Sequence, residues 1–474
     1  MKHKKLNQKG STLLFVSMMI SFLMVMALAV AQVILVEVKI GGDFASGQKA
    51  FYGKQSAFEL SFLNKSNVSL TNLTNSTQIL SNLTSPVLNS YVFNNRGMSS
   101  AIRREDNIVF VRPKIISTAH SLHALQTRGI VWGWGYNSQG ELCRGTATFA
   151  EQTPALSSGL TDVVTIAGGG STYDHFLALK SDGKIWGCGY NDSGQLGDGS
   201  NTSRNTPVRV YDVNLNNAVF LASGGMHSLA INSNGSIYGW GHNTSGQLGN
   251  GGTTSQNRPY IVSGSLTGIS SVYAGLFHSI ALKNDGAVYA WGGNSTGQLG
   301  INSTDSNRTA PALLSGISSV KSVATGGYHT LALKNDGTVY AWGANNYGQL
   351  GATTTDTCGG WSCTRSPILI PGLNNIVAIT AGQFHSLAIK ADGTVYAWGQ
   401  NLAGQLGDGT DVNKSIPTKV LTLSSVISIS AGAWHSAAVK SDGSVWVWGD
   451  YPGIQGGTPF EPIRIQIGSV FLKL

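Results

Sequence analysis

This 474-residue sequence has little charge and few cysteines. Only 11% of its residues are Asp, Glu, Lys or Arg, whereas 61 are glycine, a composition typical of a turn-rich all-β protein. The sequence also lacks a zinc-ligand signature, a nucleophile elbow, a phosphate-binding loop and an acid pair set apart from its repeats. It therefore predicts no catalytic residue, no metal site and no cofactor, and we expect a protein that is not an enzyme.

The net charge of +8 belongs to the N-terminal region. Residues 1–104 hold eleven of the 31 Lys and Arg but three of the 23 Asp and Glu, so the rest of the chain carries 20 of each. Phosphate contacts need a clustered basic face. The neutral remainder, residues 105–474, therefore argues against nucleic acid as a partner.

One long apolar run lies near the N-terminus. Residues 11–36 carry no charge after a basic leader at residues 1–10, and as a helix this run is long enough to span a hydrocarbon core of ~30 Å. It fits an uncleaved membrane anchor, a secretory signal cut after Ala31, or a leader cut earlier in the chain. The predicted helix continues to residue 62 as an amphipathic stalk, with Phe44, Phe51 and Phe58 on one face. Residues 63–104 are predicted to be a linker rich in Asn, Ser and Thr.

Residues 8–14, which read QKGSTLL, resemble a type IV prepilin leader. The match is a short basic leader, a glycine, and a small polar residue that opens a long apolar helix. The resemblance implies cleavage between Gly10 and Ser11 by a prepilin peptidase. Phe15 stands where that family usually has Glu, as in some minor tip subunits, and this departure affects shaft assembly more than export.

A single unit organises the rest of the chain. Residues 326–351 read GGYHTLALKNDGTVYAWGANNYGQLG. The alternation after His329 predicts a half-buried strand, and Asp336-Gly337 predicts a hairpin turn because glycine adopts positive φ freely. A second strand runs to Trp342, and a glycine-punctuated loop follows.

Seven copies of this unit recur at intervals of 50 to 56 residues. The histidine position is filled by His120, His175, His227, His278, His329, His385 and His435. The matching aromatic position is Trp134, Cys188, Trp240, Trp291, Trp342, Trp398 and Trp448. Four short strands at this period predict an all-β, seven-bladed β-propeller over residues 105–474. Because the first unit lacks a preceding Pro-Val-Arg-Val run, we expect residues 462–465 and 470–474 to complete the first blade beside residues 107–111.

The segments at residues 274–291 and 381–398 carry Ala-Gly-x-x-His-Ser, Asp-Gly and Tyr-Ala-Trp at fixed spacing. They resemble the regulator of chromosome condensation repeat, a seven-bladed propeller family. The resemblance implies the fold but leaves function open, since the family includes a bacterial inhibitor of β-lactamases and eukaryotic nucleotide exchange factors.

Repetition predicts structural roles for His329, Asp336, Gly337 and Trp342. Histidines at the same place in every blade lie too far apart to share a metal ion, so each is expected to bond the backbone of its own blade. The aspartate and glycine belong to the turn, and the tryptophan is expected to pack in the core.

The longest interval contains an insertion, residues 356–363, that is outside the repeat pattern. Cys358 and Cys363 flank Gly-Gly-Trp-Ser, which suggests a local disulfide and an oxidising compartment. Trp361 between them is a candidate for contact with a partner. Cys143 and Cys188 replace a repeat Gly and a repeat Trp, and the sequence leaves their pairing open.

We therefore expect a non-enzymatic, surface-displayed binding module, associated with a type IV pilus as a minor tip subunit or adhesin. Its expected location is the cytoplasmic membrane with the propeller outside, or the cell surface and pilus. The expected partners are the membrane through the N-terminal helix, pilus subunits, and a protein or glycan ligand. The alternative is a secreted or membrane-anchored propeller that inhibits or regulates a partner protein.

Overall fold

The computed structural model describes residues 103–105, 108–110 and 114–465, apart from 127–128, 171–173, 212–214, 216, 265 and 451–458. The chain divides into two compact units, Met1–Ser85 and Pro86–Leu474, and all described residues belong to the second. The predicted leader with its Gly10–Ser11 cleavage site, the helix at 11–62 and the linker as far as residue 102 lie outside the described residues. Within the described residues, no helix has the length and apolar character needed to cross a membrane.

Seven antiparallel sheets follow one another along the chain, which confirms the predicted all-β, seven-bladed propeller. Each sheet is a blade of four main strands, here termed A to D in chain order. A separate hairpin, β1 (Arg103–Glu105) with β2 (Ile108–Phe110), precedes blade 1 in the sequence.

The strands of blades 1 to 3 are β3 (Lys114–Ser117), β4 (Ser121–Leu125), β5 (Val131–Asn137) and β6 (Thr148–Leu156); β7 (Val163–Gly170), β8 (Asp174–Lys180), β9 (Ile185–Gly189) and β10 (Arg204–Arg209); and β11 (Ala218–Ser223), β12 (His227–Asn232), β13 (Ile237–Gly241) and β14 (Gln256–Ile261). Those of blades 4 and 5 are β15 (Ile269–Ala274), β16 (His278–Lys283), β17 (Val288–Gly293) and β18 (Asn307–Leu313); and β19 (Val320–Thr325), β20 (His329–Lys334), β21 (Val339–Ala344), β22 (Asp356–Cys358) and β23 (Trp361–Leu369). Those of blades 6 and 7 are β24 (Ile376–Ala381), β25 (His385–Lys390), β26 (Val395–Gly399) and β27 (Lys414–Lys419); and β28 (Val426–Ala431), β29 (His435–Lys440), β30 (Val445–Gly449) and β31 (Ile463–Ile465).

The limits of the blades differ from those predicted. The Pro-Val-Arg type run forms strand D, which follows the central hairpin of its blade instead of opening the unit. Blade 1 takes its strand D from β6, and β31 pairs with β30 as strand D of blade 7. The prediction that residues 462–465 complete blade 1 is therefore wrong, because β6 already occupies the outer edge of β5. Residues 470–474 lie outside the described residues.

The ring closes by packing between blades 7 and 1. Trp134 and Leu122 of blade 1 share a buried core with Ala437 and Val447 of blade 7. The Ser117 backbone N–H donates to Ser430 Oγ at 2.7 Å, and the Ala433 N–H donates to Ala119 O at 3.0 Å. The described residues thus join the two end blades by a shared apolar core and by hydrogen bonds from backbone N–H groups.

A narrow channel of about 90 Å³ runs through the centre. Its wall is the small-residue end of strand A in every blade, such as Gly326 and Gly327 in blade 5. A Cβ at Gly326 would collide with the His329 ring. The Gly-x-x-His spacing of the repeat therefore makes room for a buried imidazole.

Candidate binding face

Strand B of each blade buries polar side chains that need partners. In blade 5, β20 is buried from His329 to Leu333, and neighbouring blades pack against this blade. Buried polar atoms without hydrogen bonds cost about 1–3 kcal/mol each. Their partners lie across the boundary with the next blade.

The histidine that opens strand B is hydrogen-bonded to a hydroxyl group of the following blade. His329 Nε2 lies 2.9 Å from Ser386 Oγ, and that hydroxyl donates to Gln349 O at 2.9 Å. Since the hydroxyl proton is used on the carbonyl, the imidazole is the donor and carries its proton on Nε2. The same bond joins four other pairs, at 2.9–3.1 Å: His175–Ser228, His227–Ser279, His278–Thr330 and His385–Ser436. The expectation that these histidines bond the backbone of their own blade is therefore wrong.

The repeat tryptophan reaches back to the same carbonyl. Trp398 Nε1 donates to Gln349 O at 2.9 Å, and a Cβ at Gly351 would lie 2.9 Å from that nitrogen. Trp240, Trp291, Trp342 and Trp448 bond the glutamine of the preceding blade in the same way, at 2.8–3.0 Å. We term this group of histidine, hydroxyl, glutamine carbonyl, tryptophan and glycine the blade latch. It accounts for the Gly-Gln-Leu-Gly loop of the repeat.

The other structural candidates lie away from any site. Asp336 Oδ1 accepts from the Thr338 backbone N–H at 3.0 Å, and Gly337 has φ +81° in the turn of the β20–β21 hairpin. Trp342 is fully buried. Within the described ranges, no three side chains of His, Cys, Asp or Glu converge to hold a metal ion.

The boundary between blades 1 and 2 lacks the regular latch. The register pairs Ser121 with Gly135, as His227 pairs with Gly241, so Ser121 and not His120 occupies the histidine position of blade 1. A disulfide joins Cys143 and Cys188 across the boundary, with their Cα atoms 5.7 Å apart. These are the positions that the glycine and the tryptophan of the latch fill elsewhere. The two cysteines therefore replace one interblade contact by a covalent bond.

The residues just before the strand-B histidine, or before its equivalent in blade 1, form a second circle of seven positions around the propeller. They lie at the side where strands A and B connect. Strands A–B and C–D of an antiparallel blade connect on one side, which we term the loop face. The ring residues are His120, Asp174, Met226, Phe277, Tyr328, Phe384 and Trp434. The sequence contains a signal for it, because this position is aromatic in four successive units. Sequence reasoning based on the invariant positions of the repeat missed this aromatic signal.

Half of the loop face carries an aromatic cluster. The Tyr328 and Phe384 rings are nearly parallel, with centroids 5.6 Å apart, and Trp361 lies 5.5 Å from Tyr328 and 6.0 Å from Phe384. Phe277 is 6.0 Å from Tyr328, and Tyr347 is 5.2 Å from Phe384. All five side chains are partly exposed. We term these five residues the aromatic sector.

The insertion of blade 5 places Trp361 in this sector. Strands β22 and β23 form a hairpin in which Cys358 pairs with Trp361, and Gly359 and Gly360 make the turn with φ of +58° and +85°. The Cys358–Cys363 disulfide holds the hairpin, and both cysteines are buried. The structure thus brings the three candidate residues of the insertion together with aromatic residues of three blades.

The part of the loop face in blades 1 and 2 combines buried carboxylates with a ring contact between His120 and Tyr136. Asp174 is fully buried, and its Oδ2 accepts from the His120 N–H at 2.9 Å and from the Thr118 hydroxyl. Burial would raise the pKa of Asp174, but these hydrogen bonds and the His120 imidazole hold it below its ordinary value. Glu141 is also fully buried, and burial raises its pKa to about 7. It occupies the glutamine position of the latch.

Comparison with known proteins agrees with this architecture. The RCC1-like domain family matches residues 108–377 and 272–467. The human E3 ubiquitin-protein ligase HERC2 is 33% identical over 304 residues, which are 62% of this chain and 6% of HERC2. Protein pim1 of Schizosaccharomyces pombe is 32% identical over 399 residues, 70% of each chain.

A solved structure gives the same result. Prp20p from Saccharomyces cerevisiae, a protein with binding properties to Gsp1p and histones, superposes with a TM-score of 0.63 at 26% identity. The match covers 75% of this chain and 88% of Prp20p. Such relatives indicate a module that binds or regulates proteins. The chain belongs to the RCC1-like domain family.

Proposed function

We propose that the propeller is a non-enzymatic binding module that contacts its partner through the aromatic sector. The observation that carries this proposal is the contact of five partly exposed aromatic side chains, none of which takes part in the blade latch. Contiguous apolar patches on soluble domains mark interaction sites, and aromatic residues dominate the energy of such contacts.

The module is proposed to work outside the cytoplasm, at the membrane, the cell surface or a pilus. Two features support this location. Disulfides join all four cysteines, and such bonds persist in oxidising compartments. The N-terminal sequence resembles a prepilin leader, and a propeller of this bulk is accommodated more easily at a pilus tip, as a minor subunit or adhesin, than in a packed shaft.

The location is tested by expression with a prepilin peptidase and N-terminal sequencing of the product. A mature chain that begins at Ser11 supports the pilus-associated proposal. A chain that begins at Gln32 indicates a freely secreted propeller, and one that begins at Met1 a membrane-anchored one. Thiol alkylation before and after reduction tests the compartment, because a chain with free thiols in cells contradicts display outside the cytoplasm.

The binding role is tested by capture from cell-surface extracts with the full-length protein. Trp361→Ala should lose most of the captured partner, since truncation of a central aromatic contact costs about 2 kcal/mol or more. Phe149→Ala is the matched control, because Phe149 is 74% exposed on strand D of blade 1. Equal capture by the two variants would refute the proposal.

A second candidate function is inhibition or regulation of one partner protein. It is favoured by the similarity to Prp20p, whose binding properties to Gsp1p and histones concern proteins. A regulator should form a stoichiometric complex with a single soluble protein, whereas an adhesin should attach to intact surfaces. Capture from culture medium compared with capture from surface extracts separates the two.

A further inference from the structure

The hairpin that carries Trp361 is attached to blade 5 along one side. Strand β23 pairs with β21 over residues 363–369, and the Asn345 backbone N–H donates to Ser362 O at 2.7 Å. Trp361 comes just before this anchored stretch, and its partner in the register is Cys358 of β22. Among the described strands, β22 is an edge strand that pairs with β23 alone. The position of Trp361 therefore depends on whether β22 stays in place.

The backbone of this hairpin is a weak support by itself. Its turn consists of Gly359 and Gly360, and glycine loses more conformational freedom on folding than any other residue. The two strands share three residue pairs, and the Arg365 guanidinium adds a hydrogen bond to Thr357 O at 3.2 Å. A two-stranded hairpin of ordinary length is at best marginally stable in water, and this one is shorter.

The Cys358–Cys363 disulfide supplies the missing constraint. It ties β22 to the first residue of β23 that pairs with β21, across a sequence separation of 5 and a Cα–Cα distance of 5.8 Å. By removing open conformations of the loop, such a bond favours the closed hairpin on the order of tenfold or more. The closed hairpin holds the Trp361 ring 5.5 Å from Tyr328 and 6.0 Å from Phe384.

We infer that formation of the Cys358–Cys363 disulfide completes the aromatic sector, an inference that rests on the proposed binding function. In this step the two thiols exchange with a donor disulfide, which takes up two electrons and two protons and leaves as a dithiol. A dithiol reductant reverses the step, the hairpin opens, and Trp361 leaves the other rings. The binding surface is therefore assembled after the chain reaches an oxidising compartment, and it is lost on reduction.

The other disulfide provides an internal comparison. Cys143 and Cys188 are fully buried between blades 1 and 2, so those blades must separate before a reductant can reach the bond. Cys358 and Cys363 are also buried, but β22 can detach from the edge of its sheet while the blade stays folded. A dithiol should therefore reduce Cys358–Cys363 first.

The order of reduction is tested on the full-length protein with increasing dithiothreitol. Free thiols are alkylated at each step, and mass spectrometry of the peptides identifies the bond that has opened. Alkylation should appear at Cys358 and Cys363 before it appears at Cys143 and Cys188, with the thermal unfolding midpoint nearly unchanged. Reduction of both bonds together, or of Cys143–Cys188 first, would overturn the redox control.

The role in positioning is tested with C358S/C363S, which mimics the reduced hairpin and keeps the other disulfide. Amide hydrogen exchange over residues 357–362 should be about tenfold faster than in the oxidised wild type. Capture from surface extracts should fall about tenfold or more, as for Trp361→Ala. Thr357→Ser is the matched control on the same strand, and it should match the wild type in both measurements. Reoxidation should restore capture by reduced wild type and leave C358S/C363S unchanged.

The outcomes separate this inference from the proposed function. If Trp361→Ala loses capture while C358S/C363S keeps it, the inference is overturned and the binding module stands. Unchanged hydrogen exchange in C358S/C363S overturns the inference as well, because the hairpin then closes without its disulfide. If Trp361→Ala itself leaves capture intact, the proposed function fails, and the inference fails with it.

Discussion

The boundary between blades 5 and 6 and the boundary between blades 1 and 2 use the same backbone positions with different chemistry. At the first, Gly351 packs on Trp398, and the Ser386 hydroxyl accepts a hydrogen bond from His329. The Trp398 ring and the Ser386 hydroxyl both donate to the Gln349 carbonyl. At the second, Cys143 and Cys188 take the glycine and tryptophan positions and form a disulfide. The comparison shows that a closed ring requires contact between blades at these positions, and that either hydrogen bonds or a disulfide can provide it.

The changes at the second boundary are coupled. Phe176 pairs with Cys188, as Ser228 pairs with Trp240, so a large and a small side chain have exchanged places. Because blade 1 has Ser121 in place of the repeat histidine, no hydroxyl is needed at Phe176, whose ring stacks on His123 at 4.2 Å. The side chains that make the latch are thus replaced together at this boundary.

The largest effect should appear in acid, and both boundaries share it, because burial also lowers the pKa of His123 at the second boundary to about 3. Burial lowers the pKa of the five latch histidines, to about 4 for His175 and to about 3 for His227, His278, His329 and His385. Since the unfolded chain has the ordinary pKa of about 6.5, it binds more protons below that pH, and stability is lost as pH falls from 6.5 towards 3. Each histidine contributes up to about 1.4 kcal/mol per pH unit.

Chemical denaturation at pH 7, 6 and 5 measures this loss. His329→Gln should reduce the slope of stability against pH by about one proton, whereas Ser121→Ala at the irregular boundary should leave it unchanged. A free energy of unfolding that is constant from pH 7 to pH 5 would contradict the neutral latch.

Removal of one regular tryptophan should cost the next largest amount. Trp342→Ala deletes a fully buried ring and its bond to Gln298 O, so the free energy of unfolding should fall by about 3–5 kcal/mol. Phe149→Ala is the exposed control. A loss below 1 kcal/mol in urea or thermal unfolding would show that the latch does not hold the ring.

Loss of the Cys143–Cys188 disulfide should cost about 2–4 kcal/mol, because the bond closes a loop with a sequence separation of 45. C143S/C188S is compared with C143G/F176S/C188W, which restores the glycine, the hydroxyl and the tryptophan of the regular latch. The triple variant should be the more stable of the two and insensitive to a reducing agent. If it is no more stable than the serine variant, the two boundaries are not interchangeable.

The smallest effect concerns Glu141, which stands where the other described boundaries have glutamine. Its raised pKa means that stability is present at low pH and is lost as pH rises from about 4.5 to about 7. Glu141→Gln should therefore stabilise the protein by about 1–3 kcal/mol at pH 8 and by little at pH 5. Equal stabilisation at the two pH values would show that the effect of Glu141→Gln does not come from ionisation of the Glu141 carboxyl.

The seven blades were predictable because the period, the Asp-Gly turns and the buried tryptophan recur. The limits of each blade were not, because the same four strands repeat whether a unit is taken to begin at the Pro-Val-Arg strand or at the strand just before the hairpin. The Cys143–Cys188 pair carries a usable signal, because two cysteines replace two residues of the same repeat. The partners of the histidines lie about 50 residues away in sequence, which a pattern within one unit cannot specify.

The aromatic sector was predictable in part. Trp361 stood out as a residue outside the repeat, whereas Tyr328 and Phe384 occupy a position whose only signal is an aromatic residue in four successive units. Their meeting depends on ring geometry that brings equivalent loops of adjacent blades together.

The residue before each latch histidine has a consequence for how such a surface evolves. It is adjacent in sequence to the most constrained position of the blade, yet its own side chain is free of the latch. The loop face therefore works as an array of separately variable sites on a fixed frame. Single substitutions can rewrite the recognition surface one site at a time, while the frame that displays it stays the same.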